Sequence, residues 1–286
     1  MLINGHTVII AHIGYPTHSF KAPLIYNPYF ERQAINALVV PMSCQAEHYE
    51  ALLRSLFRLG NTAGALITMP HKVTTVGLVD ITSPTVKIAG ACNAVRRLAD
   101  GRLQGDMFDG EGFVRGLRRK GFEPQGQRML VVGTGGVGSA IAASLAATHP
   151  ACLQLSDINP AAAQSLAQRL RIHHPDVEVV VGPNDPADMD LVVNATPLGM
   201  NEGDPMPVEM DRLSAHTFVG EVVLKQHMTA FLQAAQARGC AFQVGSDMLF
   251  EQIPAYLEFF GLPTTTPEQL RRLARLSEPT PERIPV

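Results

Sequence analysis

An α/β chain of two domains is what this sequence predicts, and three observations carry that prediction. Apolar, strand-like runs alternate with helical stretches almost throughout the 286 residues, the pattern of mainly parallel sheets. A glycine-rich loop, Gly133-Thr134-Gly135-Gly136-Val137-Gly138, sits between an apolar run and an alanine-rich one near the middle of the chain. A polar, turn-rich stretch, Gly121-Phe122-Glu123-Pro124-Gln125-Gly126, separates the two halves of the pattern. The expected division is residues 1–108, completed by C-terminal helices over 246–276, then residues 109–245, then a flexible tail at 277–286.

The elements follow in order. Thr7–Ile13 reads as a strand that ends at the turn Gly14-Tyr15-Pro16. Residues 22–35 read as a helix and Ala37–Val40 as a strand. Ala46–Leu59 is an amphipathic helix with Leu52, Leu53, Leu56 and Leu59 near helical spacing, and Gly60 is its expected C-cap. Ala65–Thr68 is a short strand. Residues 91–98 and 102–105 flank Asp100-Gly101, a hairpin signal. Residues 109–120 form a helix at the domain change. Met129–Val132 is an apolar strand running into the glycine loop, and Val137–Ala147 is the helix that leaves it. Strands at Cys152–Ser156, Val177–Val181, Asp190–Ala195, Phe218–Val223 and Ala241–Val244 alternate with helices at Ala161–Arg171 and Met228–Arg238. That succession is a doubly wound sheet. The last helix, about Met248 to Phe260, contains Pro254, which removes one helical hydrogen bond and commonly kinks the helix.

Bulk properties exclude several classes. With 46% hydrophobic and 17% charged residues, the chain can bury one large core or two smaller ones. The net charge is -3 with acids and bases interspersed, so no basic stripe points to nucleic acid. Met1 to Ile13 lacks the marks of a signal peptide, and no apolar run reaches membrane-spanning length. The protein is therefore expected to be soluble and cytoplasmic, with no membrane partner. Cys44, Cys92, Cys152 and Cys240 are scattered without metal-ligand spacing and read as reduced core residues. The ten histidines form no zinc pattern, so no metal is expected. Oligomeric state is not legible here, and a homodimer is one assembly open to the chain.

The loop carries the first chemistry. Gly133, Gly135 and Gly138 fit G-x-G-x-x-G, after a strand and at the head of a helix, the context this fingerprint requires. The first glycine permits the tight turn, the second lets a pyrophosphate approach the backbone, and the third permits close helix–strand packing. Free N–H groups at the helix N-terminus favour the anion. The second domain is thus expected to be Rossmann-type, with Thr134, Gly136 and Val137 also at the cofactor. Asp157 lies 24 positions beyond Gly133, at the end of the next strand. A carboxylate there accepts both ribose hydroxyls of NAD and repels the 2′-phosphate of NADP. No arginine follows closely in Ser156-Asp157-Ile158-Asn159-Pro160, so NAD is favoured over NADP and Asn159 is expected nearby. The plainer reading of Asp157 is a cap on the helix starting at Pro160.

Three polar residues precede the loop. Lys72 ends Thr68-Met69-Pro70-His71-Lys72, Asn93 lies in Gly90-Ala91-Cys92-Asn93, and Asp109 follows Gly105-Asp106-Met107-Phe108. Singly they read as a solvated lysine, a local backbone hydrogen-bonder and a helix cap. Together, in this order and ahead of a dinucleotide loop, they suggest proton transfer beside hydride transfer. The chain here resembles the shikimate/quinate dehydrogenase family, from about Gly14 to Gly261. Further matching pieces are Gly14-Tyr15-Pro16, Asn194-Ala195-Thr196-Pro197-Leu198-Gly199-Met200 and Gly245-x-x-Met248-Leu249-x-x-Gln252. The resemblance implies oxidation of a ring hydroxyl, or reduction of the ketone, with NAD(P). It implies Lys72 as the catalytic lysine, Asp109 as its partner, and Asn93, Thr68 and Gln252 as substrate contacts. It also implies Thr196, Val222, Gly245 and Met248 near the cofactor, and a place in aromatic amino acid biosynthesis.

The resemblance breaks at one end. Where the family carries two hydroxyl side chains for the substrate carboxylate, an ungapped count puts Phe20 and Ala22. The family's tyrosine at that carboxylate falls on Leu224, and its threonine before the aspartate is Phe108. A carboxylate buried against such residues loses its donors, which is costly. Thr17, Ser19 and Lys21 are the local replacements, and Lys21 could pair a carboxylate directly. The expected substrate is a small hydroxy or keto ring compound, less polar or differently substituted. Unaltered shikimate or quinate dehydrogenase activity and a non-catalytic dinucleotide sensor are the alternatives. The two domains are expected to close around a cleft, with hinges near 105–110 and 240–246.

Overall fold

The computed structural model describes residues 3–276 and contains two six-stranded sheets. The sequence-predicted tail at 277–286 lies outside the described residues. The first sheet is built from β1 (Val8–Gly14), β2 (Ala37–Ser43), β3 (Thr62–Ile67), β4 (Ile81–Thr82), β5 (Ala94–Arg97) and β6 (Leu103–Asp106). Its order is β2-β1-β3-β5-β6-β4. Strand β1 pairs in parallel with β2 and β3, whereas β5 runs antiparallel to both β3 and β6. The reversal follows from the Asp100-Gly101 turn, where Gly101 holds a φ of 89°. The helices interleaved here are α1 (Ala22–Arg32), α2 (Ala46–Leu56), α3 (Lys72–Val76) and α4 (Pro84–Ala89).

Helix α5 (Asp109–Arg119) leads to the second sheet. There β7 (Arg128–Val132), α6 (Gly136–Ala146), β8 (Cys152–Ser156), α7 (Pro160–His173), β9 (Val179–Val181) and β10 (Leu191–Asn194) are followed by β11 (Phe218–Glu221), α8 (Ala230–Ala237) and β12 (Phe242–Gln243). A short 3-10 turn at Met210–Arg212 precedes β11. All the strand pairings are parallel, in the order β12-β11-β10-β7-β8-β9. This is the doubly wound Rossmann-type arrangement, with its switch point between β7 and β10. Helices α9 (Gly245–Phe259) and α10 (Pro267–Leu273) complete the described chain. Phe250, Ile253, Tyr256 and Leu257 of α9 and Leu270 of α10 join Ile10, Leu66, Ala94 and α1 residues in one core cluster, so the C-terminal helices cover the first sheet.

Several boundaries differ from the sequence reading for local reasons. Helix α2 stops at Leu56, because Phe57 turns into the core as its C-cap; Gly60 lies beyond the helix and does not cap it. Helix α1 ends at Arg32, three residues early, and Ala34 adopts a φ of 53° in the turn that follows. Helices α3, α4 and α10 are five to seven residues long, too short for a readable apolar period. Helix α9 begins at Gly245 and runs through Pro254 without interruption, its first turn held by Asp247, whose side chain accepts the Val244 N–H at 3.1 Å. The four cysteines are free and buried. Among the described residues no cluster could hold a metal ion, and no helix is long and apolar enough to cross a membrane.

Candidate active site

Lys72, Asn93 and Asp109 converge although they stem from three elements. Lys72 opens α3 just beyond β3, and Asn93 continues the ladder at the head of β5, where its carbonyl accepts Ile67 N–H at 2.8 Å. Its own N–H donates to the Asp106 carbonyl at 2.9 Å. Asp109 is the first residue of α5, where the helix N-terminus favours a carboxylate. Lys72 Nζ donates to Asp109 Oδ2 at 2.7 Å, and Asn93 Nδ2 donates to Asp109 Oδ1 at 2.9 Å. Asn93 Oδ1 in turn accepts the Phe108 N–H at 3.0 Å. The carboxylate is thus gripped at both oxygens in a buried setting, while a fifth of the lysine side chain stays accessible. Asn93, expected as a substrate contact, already spends one amide hydrogen and one lone pair on the protein.

The lysine itself is anchored from behind. His71 is buried, stacks on Tyr49 with ring centroids 4.0 Å apart, and shares a hydrogen bond with the Cys44 carbonyl at 2.9 Å. Burial lowers the pKa of His71, so it serves as a neutral wedge. Thr68 lies at the end of β3, and its methyl packs so closely on Gly14 that a Cβ there would sit 2.4 Å from it or 2.8 Å from Phe20, leaving no room for any other residue. Ser19 and Lys21 are exposed between β1 and α1, while Phe20 turns inward to stack on His12 at 4.0 Å.

On the second sheet the glycine loop lies at the switch point. Gly133 holds a φ of 96°, and a Cβ on it would come within 2.9 Å of Ala195 and Thr196 from the loop after β10. A Cβ on Gly138 would collide with the Gly133 carbonyl, so the third glycine is needed for helix–strand contact. Around Gly135 and Gly136 a Cβ would meet nothing within 4 Å, which leaves the space a pyrophosphate needs before the uncapped head of α6. Asp157 Oδ2 accepts from both the N–H (2.6 Å) and hydroxyl (2.8 Å) of Thr134, and Oδ1 from Asn159 N–H at 2.8 Å. Burial pushes its pKa up, but these hydrogen bonds outweigh that and hold it below the ordinary value. The cap of α7 is Asn159, whose side chain accepts from Ala161 and Ala162 N–H, so Asp157 is not the cap. These features fit a dinucleotide. Thr134 and Val137 lie within the loop and the first turn of α6.

Two helices tie the halves together. A Cβ on Gly110 would collide with the Ala140 carbonyl of α6, and one on Gly112 would lie 2.6 Å from Gln252 Cβ and 2.7 Å from the Met248 carbonyl. Asp109 is therefore less than one turn from both the dinucleotide helix and α9. Gly245 packs on the backbone of Val222 and Val223, which brings Val222, Gly245 and Met248 to one place at the exit of β11. Two residues had escaped the sequence reading. Glu221 is buried and accepts from Asn194 Nδ2, the N–H of Val222 and Val223, and Thr229 Oγ1 at 2.9–3.2 Å, joining the exits of β10 and β11. Burial raises its pKa, and these donors pull the other way. A carboxylate ending an apolar strand was its available signal. The other is His12.

Fold and site together define a two-domain protein of the pyridine-nucleotide dehydrogenase kind, with a separate substrate-binding unit. The description "shikimate dehydrogenase substrate binding domain" matches residues 12–95. A shikimate dehydrogenase (NADP(+)) of Rubrobacter xylanophilus is 36% identical over 254 residues, covering 87% of this chain and 89% of that protein. The chain belongs to the shikimate dehydrogenase family. The structure is similar to quinate dehydrogenase from Corynebacterium glutamicum in complex with NAD, with a TM-score of 0.84 and 27% identity over 93% of this chain and 98% of that one. Shikimate 5-dehydrogenase from Listeria monocytogenes, in complex with shikimate and NAD, shares the fold at a TM-score of 0.89 and 23% identity, covering 95% and 97% of the two chains.

Proposed function

We propose that this protein is an NAD(P)-dependent dehydrogenase that interconverts a ring hydroxyl and the corresponding ketone, with Lys72 and Asp109 as its proton-transfer pair. The observation that carries the reading is the Lys72–Asp109–Asn93 network at the head of α5, the helix packed against both the glycine-loop helix and α9. When bound, the dinucleotide supplies the hydride acceptor or donor. As the neutral amine Lys72 Nζ takes the hydroxyl proton when the alcohol is oxidised, and as the ammonium it returns a proton to the carbonyl oxygen in the reverse direction. Asp109 aims Nζ through one oxygen, and Asn93 fixes the other so that the carboxylate does not rotate away. Gln252 Oε1 is buried with no hydrogen-bond partner among the described residues, which suits a contact to a substrate hydroxyl.

NAD is the favoured cofactor. Asp157 is held ionised beside the loop, and its neighbour Ile158 is fully exposed and offers no cation to a 2′-phosphate. The NADP(+) in the name of the Rubrobacter relative supports the opposite preference, so the cofactor ratio is the first quantity to measure. The substrate is a ring alcohol altered at the carboxylate end, because Phe20, Ala22, Phe108 and Leu224 stand where the family carries hydroxyl side chains. Authentic shikimate or quinate turnover is the competing reading, favoured by the relatives' names. The test is a screen of shikimate, quinate and related ring alcohols with NAD and NADP, run beside Lys72→Ala. Turnover by the parent that Lys72→Ala abolishes supports the reading. Equal turnover by both removes the dyad, and efficient shikimate oxidation by the parent removes the altered substrate.

A further inference from the structure

His12 is an ionisable group near Lys72 that the mechanism leaves unused. It lies on β1 opposite Leu66 of β3, two residues beyond Ile10 and hence on the same face of the sheet. That face is the one covered by α1 and α9. One side of its imidazole is closed by Phe20, whose ring stacks on it with centroids 4.0 Å apart and 27° between planes. Polar contact is therefore left to the ring edge. Nδ1 is enclosed and finds no hydrogen-bond partner among the described residues. Two other buried polar atoms on the covering helices share that condition, the Tyr26 hydroxyl of α1 and Gln252 Oε1 of α9. Unpartnered buried polar atoms are rare in a stable fold and need a reason.

The electrostatics limit what that reason is. Burial first, and the Lys72 charge second, lower the pKa of His12 to about 4, so the ring is neutral at physiological pH. Lys72 is itself matched by Asp109 at 2.7 Å, and the pocket holds no spare positive charge from that pair. A carboxylate accepts hydrogen bonds only, and burying it beside a neutral ring and a phenyl face is costly. A hydroxyl both donates and accepts, so it pairs with the accessible edge of a neutral imidazole in either tautomer.

We infer that His12 is a specificity-determining residue whose imidazole edge hydrogen-bonds an uncharged hydroxyl of the substrate, and that the substrate carries such a group where related enzymes' substrates carry a carboxylate. This rests on the dehydrogenase reading above and adds a residue and a substrate class to it. Phe20 supports the residue by fixing the ring plane, and Gln252 receives a further hydroxyl of the same compound.

The experiment compares a matched pair of probes: shikimate, and the same ring with hydroxymethyl in place of carboxylate. Oxidation of each with NAD and NADP is measured for the parent, His12→Val, His12→Asn and Lys72→Ala. The parent is expected to give the higher kcat/KM with the hydroxymethyl compound. His12→Val should lower that value roughly tenfold to a hundredfold, chiefly through KM, with the cofactor KM unchanged. His12→Asn, which keeps a hydrogen-bonding edge, should recover part of the loss. Preference of the parent for shikimate, no turnover of the hydroxymethyl compound, or an unchanged probe ratio in a His12→Val protein that melts like the parent each overturns the inference. Lys72→Ala separates the two levels: if it turns over either probe as the parent does, the dehydrogenase mechanism falls, whatever His12 does.

Discussion

The imidazole of His12 lies within the influence of the Lys72 charge, yet the surroundings of the two residues differ in kind. Around Lys72 the polar groups are wired together: Nζ to Asp109, Asp109 to Asn93, Asn93 to the Phe108 backbone. Around His12 the neighbours are a phenyl ring and an apolar cluster, and its Nδ1 has no protein partner. A wired group is held in one geometry before any ligand arrives, which is what proton transfer needs. An unwired buried group is completed only by a ligand of matching chemistry, which is what discrimination needs, because the wrong ligand leaves it unpaired. On the proposals above, the first setting serves reaction and the second selection.

Removing the centre of the wired wall should have the largest effect. Lys72→Ala is expected to lower kcat by about 10²–10⁴-fold with little change in cofactor KM, measured in steady state. A drop confined to substrate KM would mean that Lys72 binds and does not transfer a proton. Asn93→Ala comes next. It leaves a buried carboxylate short of one donor, and should cost about 1–3 kcal/mol of stability in denaturant unfolding together with a smaller fall in kcat. If kcat stays at the parent's value, the wiring is not what holds the dyad.

Cofactor choice belongs to neither wall and provides a control on both. Asp157→Ser removes the carboxylate beside Ile158 and should shift the NAD/NADP ratio of kcat/KM towards NADP by about tenfold, with the preference among ring alcohols unchanged. A coupled change in alcohol preference would show that the cleft acts as one unit. The last effect falls on acid stability and leaves activity near neutral pH untouched. The folded-state pKa of His12, about 4, lies below its ordinary value of 6.5, so folding favours the neutral ring. Its contribution is complete above pH 6.5 and is lost as pH falls through 4, about 3 kcal/mol at most. His12→Val should melt with a shallower decline than the parent across that interval, and parallel melting curves would place His12 in a more open setting.

Legibility followed chain locality. The doubly wound half was readable because each strand is a short apolar run and the loop needs glycines at fixed offsets; Gly133 and Gly138 fill those needs in the structure. Lys72, Asn93 and Asp109 could be chosen from the sequence as a set, since the motifs around them are short and ordered. Their wiring could not, since the 37 positions between Lys72 and Asp109 are bridged only by the β3–β5–β6 pairing and the start of α5. Gly60 misled because a buried Phe57 ended the helix one turn earlier. Ser19 and Lys21 are adjacent in sequence to the inward-turned position, but strand and loop geometry points Phe20 inward and leaves both exposed.

The sequence by itself determined the sheet class, the glycine loop and which side chains stand as candidates for the reaction, because glycine turns, apolar periods and motif order are properties of neighbouring residues. Only the tertiary structure decided that Asp109 is held at both oxygens, that Asn159 and not Asp157 caps α7, and that His12 lies in reach of Lys72's charge with Nδ1 unpartnered. Those facts depend on which atoms meet across strands and helices far apart in the chain, and hydrogen bonding and burial exist only after that meeting.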